Sequence, residues 1–166
     1  MSVQPIRHFG DPVLVTPASE VVDFDKELRK LVQDLTDTML DAPGAGLAAP
    51  QIGVPLRVFV WDVDEALGHL INPTLDLSEE IQEGEEGCLS FPALFIWLKR
   101  PEAISVRYQD VLGEMIEETL YGWPARIFQH EYDHLNGKVL LTALKRKERK
   151  AALKNISLNG FPGNDV

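Results

Sequence analysis

The chain has only one cysteine, Cys88, among its 166 residues. A single cysteine excludes an internal disulfide and is typical of proteins that work in a reducing compartment. No apolar run approaches the ~20 residues that a membrane-spanning helix needs. The first residues, Met-Ser-Val-Gln-Pro, have neither the basic start nor the apolar core of an export signal. We therefore expect a cytoplasmic protein that does not enter a membrane.

An excess of positive charge is also missing, since the formal net charge is −10. Nucleic acids attract basic surfaces, so this charge argues against a general nucleic-acid coat and against DNA as a partner. Residues 145–154 contain six basic residues and one acidic residue. This segment therefore has a net charge of +5, and the rest of the chain has a net charge of −15. A solvated helix face is the simpler interpretation of this segment. A docking patch for an anionic surface is the alternative.

Two helices are predicted near the two ends of the chain. Apolar residues at helical spacing predict a helix over residues 24–40, capped by Asp23 or Asp25 and ended by Pro43-Gly44. A basic helix is predicted over about 142–157, followed by a loose tail at 159–166.

Short strands are predicted between these helices. Residues 56–60 and 70–73 look like strands, the second broken by proline, and residues 104–108 and 115–120 alternate like a hairpin. The predicted class is therefore α+β, with short antiparallel sheets packed around a central helix. A length of 166 residues predicts a single domain, 1–166, with a core of about 6–144.

The central helix is the one that carries a His-Glu-x-x-His pattern, formed by His130, Glu131 and His134. Pro124 suits a first helical position and Gly137 suits a C-terminal stop. On such a helix the two histidines lie one turn apart on one face and can bind one metal ion. Ionisable groups on a face that packs on a core are costly to bury unless they are paired or bind a metal. A surface helix that carries two histidines by chance is the alternative.

Two histidines supply two ligands, whereas a catalytic metal usually takes three from the protein and one water. The third could come from His8, His69, an acidic side chain or Cys88, the only thiol. Water in an open fourth position would have a pKa of ~7, and Glu131 could take its proton. Gln51 and a backbone N–H near Cys88 would serve as neutral donors to an oxyanion. The residues by themselves thus predict metal-assisted hydrolysis of an amide or ester, with the third ligand open.

Three segments together resemble the signatures of the peptide deformylase family. The first, G-x-G-L-A-A-x-Q, is present at residues 44–51, the second, E-G-C-L-S, at 86–90, and the third, Q-H-E-x-D-H-L-x-G, at 129–137. Their order and separation also match, and the similarity extends over residues 6–144. One motif can arise by chance, but three in order are a specific signal.

The resemblance implies hydrolytic removal of the N-formyl group from the N-formylmethionine of newly synthesised polypeptides. It also implies one divalent metal ion per chain, Fe²⁺ natively, with Zn²⁺, Ni²⁺ or Co²⁺ as alternative occupants. The implied metal ligands are Cys88, His130 and His134.

Catalytic roles follow from the same resemblance. Glu131 would be the general base and then the acid that protonates the leaving amine. Gln51 and the Leu89 backbone N–H would stabilise the tetrahedral oxyanion. Gly46 and Glu86 match positions that contact the substrate backbone or shape the pocket. The candidates for the walls of the methionine pocket are Ala45, Trp123 and Ile127. Arg100 and Asp133 resemble a structural ion pair of the family.

The resemblance also implies partners. They are N-formylmethionyl nascent peptides and the ribosome near its exit tunnel, contacted transiently through residues 145–154. A monomer is the family expectation. Residues 92–99 depart from the family pattern because they are unusually apolar where many relatives carry an arginine or a glycine. The departure affects the rim of the substrate groove and the preference for residues after methionine.

Two other functions compete with this prediction. His-Glu-x-x-His also marks zinc endopeptidases, although no further motif ligand is evident downstream. A metal-stabilised binding module that docks its basic helix on ribosomal RNA is the alternative that is not an enzyme.

Overall fold

The structure is a computed structural model that describes residues 2–159. Of the tail predicted for residues 159–166, residues 160–166 lie outside the described residues. The helices are α1 (Lys26–Asp41), α2 (Gly122–Leu135) and α3 (Arg146–Asn159). The strands are β1 (Gly46–Ala48), β2 (Val58–Val63), β3 (Ala66–Leu77), β4 (Ile81–Cys88), β5 (Phe91–Pro101), β6 (Ala103–Gln109) and β7 (Met115–Tyr121). Short 3-10 turns occupy Pro12–Val15, Ala49–Ile52 and Leu140–Ala143.

Residues 2–159 form two antiparallel sheets. The larger has five strands in the order β1-β2-β3-β6-β7, and the smaller is the hairpin β4-β5. Helix α2 contacts strands of both sheets, so residues from either sheet can meet on it. The α+β class predicted from the sequence is confirmed. Within residues 2–159, no helix is long and apolar enough to cross a bilayer.

Helix α1 forms much as its periodicity predicts. The Asp25 carboxylate caps it by accepting from the Leu28 N–H at 3.1 Å, which satisfies one of the free N–H groups of the first turn. Its apolar face, including Leu35 and Met39, is fully buried in a core shared with β1 and β2. The helix therefore supports the sheet edge on which β1 lies.

Strand β3 corrects the prediction of a strand broken by proline. It runs through Pro73, and the ladder to β6 shifts register between Ile71 and Thr74. A register shift accommodates proline because that position needs no N–H in the ladder. Asn72, at φ 53°, uses its side chain to accept from Val21 N–H and donate to Val21 C=O, both at 2.9 Å.

The hairpin β4-β5 was not predicted from the sequence, and neither was the short strand β1. The strands of the hairpin pair from Ile81 opposite Pro101 to Cys88 opposite Phe91, with a shift between Gly87 and Cys88. One face of β5 buries Ile96 and Leu98, whereas Phe95 and Trp97 on the other face are exposed.

Helix α2 begins two residues earlier than predicted. Gly122 is its first residue and Tyr121 its N-cap, so Pro124 is the third residue. Proline is still tolerated there because the first four N–H groups of a helix have no intrahelical partner. The predicted stop holds: Gly137, at φ 73°, follows the end of the helix, and a Cβ there would lie 2.9 Å from the Val15 carbonyl oxygen.

Helix α3 begins at Arg146 rather than at 142. The residues before it form the 3-10 turn Leu140–Ala143, in which Leu140 and Leu141 are buried. Leu140 packs on Ile96 and Leu98 of β5, so these apolar residues anchor the chain before the basic helix.

Candidate active site

Cys88 at the end of β4 meets His130 and His134 of α2. One ligand atom from each lies within 4.8 Å of the others, and Cys88 Sγ is 3.3 Å from His134 Nε2. Of the other candidates for a third ligand, His69 is elsewhere: its Nε2 accepts from the Val111 N–H at 3.2 Å. His8 is also not part of this cluster. The structure thus brings the thiol and the two imidazoles together. Cys88 and His134 are 46 residues apart in the chain.

The donor set fits a divalent transition metal. Ligands of a tetrahedral ion at ~2.0–2.3 Å lie about 3.5 Å apart, close to the separation of Cys88 Sγ and His134 Nε2. Thiolate and imidazole together suit zinc-like ions and iron. Burial and the nearby positive charges of His130 and Arg100 hold the pKa of His134 well below its usual value. His134 is therefore neutral, the form that binds metals.

Glu86 contacts His130, the other histidine of this cluster. Its Oε1 lies 3.0 Å from His130 Nδ1, and the guanidinium of Arg100 donates to both carboxylate oxygens at 2.7 and 2.8 Å. Burial opposes ionisation of Glu86, but hydrogen bonds from Arg100 and His130 lower its pKa to about 2. An ionised Glu86 accepts the Nδ1–H of His130, so Nε2 is the ring nitrogen that can bind a metal once it has lost its proton.

The predicted pair of Arg100 and Asp133 is present. Arg100 Nη1 donates to Asp133 Oδ2 at 2.7 Å, so this arginine joins Asp133 on α2 to Glu86 on β4. Asp133 is not among the three clustered ligands. Its carboxylate instead binds Arg100, as expected of a residue that supports the structure of the site.

Glu131 lies beside the cluster of Cys88, His130 and His134, with 2% of its surface exposed. Its Oε1 is buried and has no hydrogen-bond partner among the described residues. Burial raises the pKa of Glu131 to about 7, an effect that the charge of His130 partly opposes and that of Glu86 reinforces. A carboxyl group with this pKa can both accept and donate a proton near neutral pH.

Gly46 makes room for that carboxylate. A Cβ on Gly46 would lie 2.6 Å from Glu131 Oε2 and 3.0 Å from its Cδ. The absence of a side chain on β1 therefore lets Glu131 pack directly on the strand.

Gln51 presents its amide nitrogen to the cluster. Its Oε1 accepts from the Ala48 N–H at 2.9 Å, which fixes the orientation of the amide. Its Nε2 then donates to Ser90 Oγ at 3.1 Å and lies 3.6 Å from Cys88 Sγ. Gln51 is fully buried in the 3-10 turn Ala49–Ile52, so this donor is held in place by the fold.

Leu89 is the first residue of the two-residue turn between β4 and β5 and directly follows Cys88. Gly44 allows the first loop to approach this turn, because a Cβ there would lie 2.7 Å from Leu89 Cδ1. The first two signatures are therefore in contact at the site.

A cavity of about 540 Å³ opens beside these groups. The five residues predicted to bind the substrate or shape its pocket all line this cavity: Ala45, Gly46, Glu86, Trp123 and Ile127. The candidate metal-binding and catalytic residues Gln51, Cys88, Leu89, His130 and Glu131 line it as well. Trp123 and Ile127 lie one turn apart on α2, and Glu131 lies one turn further on. These three residues form a continuous wall of the cavity.

The sequence interpretation missed three residues of the site. Arg126 is buried and donates to Glu86 Oε2 at 2.6 Å; its spacing four residues before His130 was an available signal. Ser90 accepts from Gln51, and Phe95 lines the cavity from β5. Ser90 lies in the second signature and Phe95 in the apolar segment 92–99, but neither residue was assigned a role in the site.

The comparisons with known proteins agree on one family. A family model described as polypeptide deformylase matches residues 3–150. The peptide deformylase of Acidothermus cellulolyticus is 54% identical over 166 residues, which cover 100% of this chain and 92% of that protein. The crystal structure of peptide deformylase from Thermotoga maritima has a TM-score of 0.85 at 44% identity and covers 87% of this chain and 99% of that one. The one from Legionella pneumophila has a TM-score of 0.88 at 38% identity and covers 95% of each chain.

Proposed function

This chain belongs to the peptide deformylase family, and on that premise we propose which of its residues perform the reaction. The enzyme is a metal-dependent hydrolase that removes the N-formyl group from newly synthesised polypeptides. The observation that carries the residue assignment is the convergence of Cys88, His130 and His134 within 4.8 Å, next to the buried carboxyl group of Glu131.

Cys88, His130 and His134 hold the metal ion, with Fe²⁺ as the native ion and Zn²⁺, Ni²⁺ or Co²⁺ as alternatives. When bound, the ion acts as a Lewis acid that polarises the formyl oxygen and makes water more acidic. The role of His130 depends on Glu86, which accepts its Nδ1–H at 3.0 Å and so directs Nε2 to the ion.

Glu131 moves the proton. It takes a proton from the attacking water as the water oxygen bonds to the formyl carbon, and it then passes that proton to the leaving amine nitrogen. Breakage of the C–N bond releases formate and a free N-terminus. The pKa of about 7 suits both halves of this transfer because it lies near the working pH.

Gln51 and Leu89 stabilise the oxyanion that forms when the carbonyl is attacked. The amide nitrogen of Gln51 is held by the Ala48 contact, and the Leu89 N–H follows Cys88 in the turn. Donors fixed before the reaction cost no reorganisation, and one of them typically contributes ~10²–10³ in rate.

The substrate lies along β1, which is an edge strand of the five-stranded sheet. An extended peptide can add to such an edge by backbone hydrogen bonds, with Gly46 at the point closest to Glu131. Ala45, Trp123 and Ile127 form the walls of the methionine pocket. Glu86 shapes the pocket and acts through His130.

The exposed face of β5 extends the cavity outward. Phe95 lines the cavity and is 63% exposed, and Trp97, two residues further on the same face, is 66% exposed. Trp97 lies opposite the exposed Glu85 of β4. Residues after methionine pass over this surface, so apolar ones are favoured and acidic ones are disfavoured by Glu85.

The enzyme acts as a monomer in the cytoplasm, where nascent chains leave the ribosome. The basic residues of the 145–154 segment, most of them on α3, support a transient contact with ribosomal RNA near the exit tunnel, because their net +5 contrasts with −15 elsewhere.

The decisive test of this function is Glu131→Gln. The substitution keeps the shape of the side chain and removes the proton carrier, so deformylation of formyl-Met-Ala-Ser should fall by at least ~10², while elemental analysis still finds one metal per chain. Glu114→Gln, an exposed turn position, is the control and should be fully active. Full activity of the Glu131 variant would refute the mechanism, and cleavage of internal bonds in unblocked peptides would favour an endopeptidase instead.

A further inference from the structure

Arg126 has only 2% of its surface exposed, and the mechanism above does not use it. It lies on α2 one turn before His130. Its guanidinium donates to the Gly84 carbonyl of β4 at 3.4 Å and the Leu98 carbonyl of β5 at 3.3 Å. It also donates to Gln82 Oε1 at 3.2 Å. Burying an arginine destabilises the fold unless its N–H donors have hydrogen-bond acceptors. Here the acceptors are backbone and side-chain oxygens of the hairpin.

The remaining contact of Arg126 is with Glu86. A carboxylate offers about four lone-pair positions, and four donors occupy those of Glu86. Oε1 receives His130 Nδ1 at 3.0 Å and Arg100 Nη2 at 2.8 Å. Oε2 receives Arg100 Nε at 2.7 Å and Arg126 Nη1 at 2.6 Å. With all positions filled, the carboxylate plane has one orientation, and that orientation sets the direction of the His130 ring.

The two arginines are not equivalent in this arrangement. Arg100 divides its donors between Glu86 and the partly exposed Asp133. Within residues 2–159, Arg126 pairs with Glu86 and with no other acid, and it is anchored to both strands of the hairpin. Gly84 leaves room for the guanidinium, because a Cβ there would lie only 3.2 Å from Arg126 Cζ and Nη2.

We propose that Arg126 is a positioning residue of the metal site. It fixes the Glu86 carboxylate relative to α2, and the carboxylate in turn holds His130 with Nδ1–H bound and Nε2 directed at the metal. The competing interpretation is that Arg126 only joins the hairpin to the helix. The proposal rests on the proposed role of His130 as a ligand.

The experiment measures Zn²⁺ affinity of the zinc-loaded enzyme by competition with a chelator, for Arg126→Lys, Arg126→Met and Gly84→Ala. Loss of such a supporting contact typically weakens metal binding by roughly 10–100-fold, which is the effect expected for both Arg126 variants. Gly84→Ala leaves Arg126 in the chain and displaces its guanidinium by a few tenths of an ångström, so a smaller loss, about threefold to tenfold, is expected there. This variant keeps the test open if Arg126→Met does not fold.

A second readout separates positioning from general stability. The Nδ1–H proton of His130, observed by long-range ¹H–¹⁵N NMR on the zinc-loaded protein, should exchange with water faster in Arg126→Lys than in the parent. Leu35→Ala, which removes a fully buried side chain of α1 without touching the site, is the matched control. It should lower the unfolding temperature while leaving Zn²⁺ affinity and the His130 signal unchanged.

The outcomes are distinguishable. Unchanged Zn²⁺ affinity and an unchanged His130 proton in all three variants would overturn the proposal and leave a purely structural arginine. Equal losses of affinity in Leu35→Ala and Arg126→Lys would also overturn it, because stability alone would then explain the effect. Unchanged affinity in Cys88→Ser would instead refute the metal site itself, and with it the proposed function.

Discussion

Glu86 should make the stability of this fold depend on pH in the acid range. Its carboxyl group is 3% exposed, and although burial raises its pKa, bonds from Arg100 and His130 lower it from 4.5 to about 2. One pKa unit corresponds to ~1.36 kcal/mol, so the shift is equivalent to roughly 3 kcal/mol of folding free energy.

The direction follows from proton binding. Because the pKa is lower in the folded state, the unfolded chain binds the proton more tightly. The stabilisation is therefore fully present above about pH 4.5, is lost as the pH falls through the interval between 4.5 and 2, and is absent below it.

The assay is urea unfolding of the metal-free protein and of Glu86→Gln, with a chelator present, between pH 2 and pH 7. At neutral pH the variant should be less stable by about 3–5 kcal/mol, because the buried Arg126 and the partly buried Arg100 lose their carboxylate partner. From pH 6 to pH 2 the difference in unfolding free energy between parent and variant should shrink by roughly 3 kcal/mol.

The exposed neighbour Glu85 supplies the control: Glu85→Gln should follow the acid profile of the parent. If the difference between the parent and Glu86→Gln stayed constant across this pH range, Glu86 would not be held ionised by its partners, and the account of how His130 is oriented would fail.

Three further predictions concern the site and its surroundings. Gly46→Ala should lower kcat by ~10²-fold with unchanged metal content, because the new Cβ would lie 2.6 Å from Glu131 Oε2 and displace the carboxylate. The assay is formate release, and an unchanged kcat would argue against this packing. Replacing Phe95 and Trp97 by Ser should reduce kcat/KM roughly tenfold for formyl-Met peptides with Leu or Phe next in the chain, and equal effects on peptides with Ser there would contradict an apolar rim. Changing residues 145–147 to Glu should weaken co-sedimentation with ribosomes without altering activity on short peptides, and unchanged co-sedimentation would favour a solvated helix face.

Local patterns predicted the elements that depend on local interactions. Helix α1 follows from its apolar spacing and its Asp25 cap, and the hairpin of β6 and β7 follows from alternation around a Gly113 turn. The helix of His130 and His134 was also predictable, apart from its first two residues. In each case the signal and the interactions that stabilise the element lie within one short stretch of chain.

The hairpin β4-β5 shows where such patterns fail. Its first strand contains Gly84, Gly87 and three glutamates, residue types that are depleted in strands. It is a strand because β5 pairs with it and because Arg100 and Arg126 neutralise Glu86 in its interior. Strand β3 similarly continues through Pro73 because the ladder shifts register there.

The sequence by itself determined the chemistry that the site can perform. Two histidines one helical turn apart, with a glutamate between them, favour a metal and a base, and the two further signatures made this interpretation specific. The third ligand was left open by the residues and was indicated only by resemblance. Only the tertiary structure placed Cys88 Sγ at 3.3 Å from His134 Nε2 and enclosed Glu86 between two arginines. These distances depend on how the hairpin docks on α2, and that docking results from contacts between residues far apart in the chain, for which no local pattern exists.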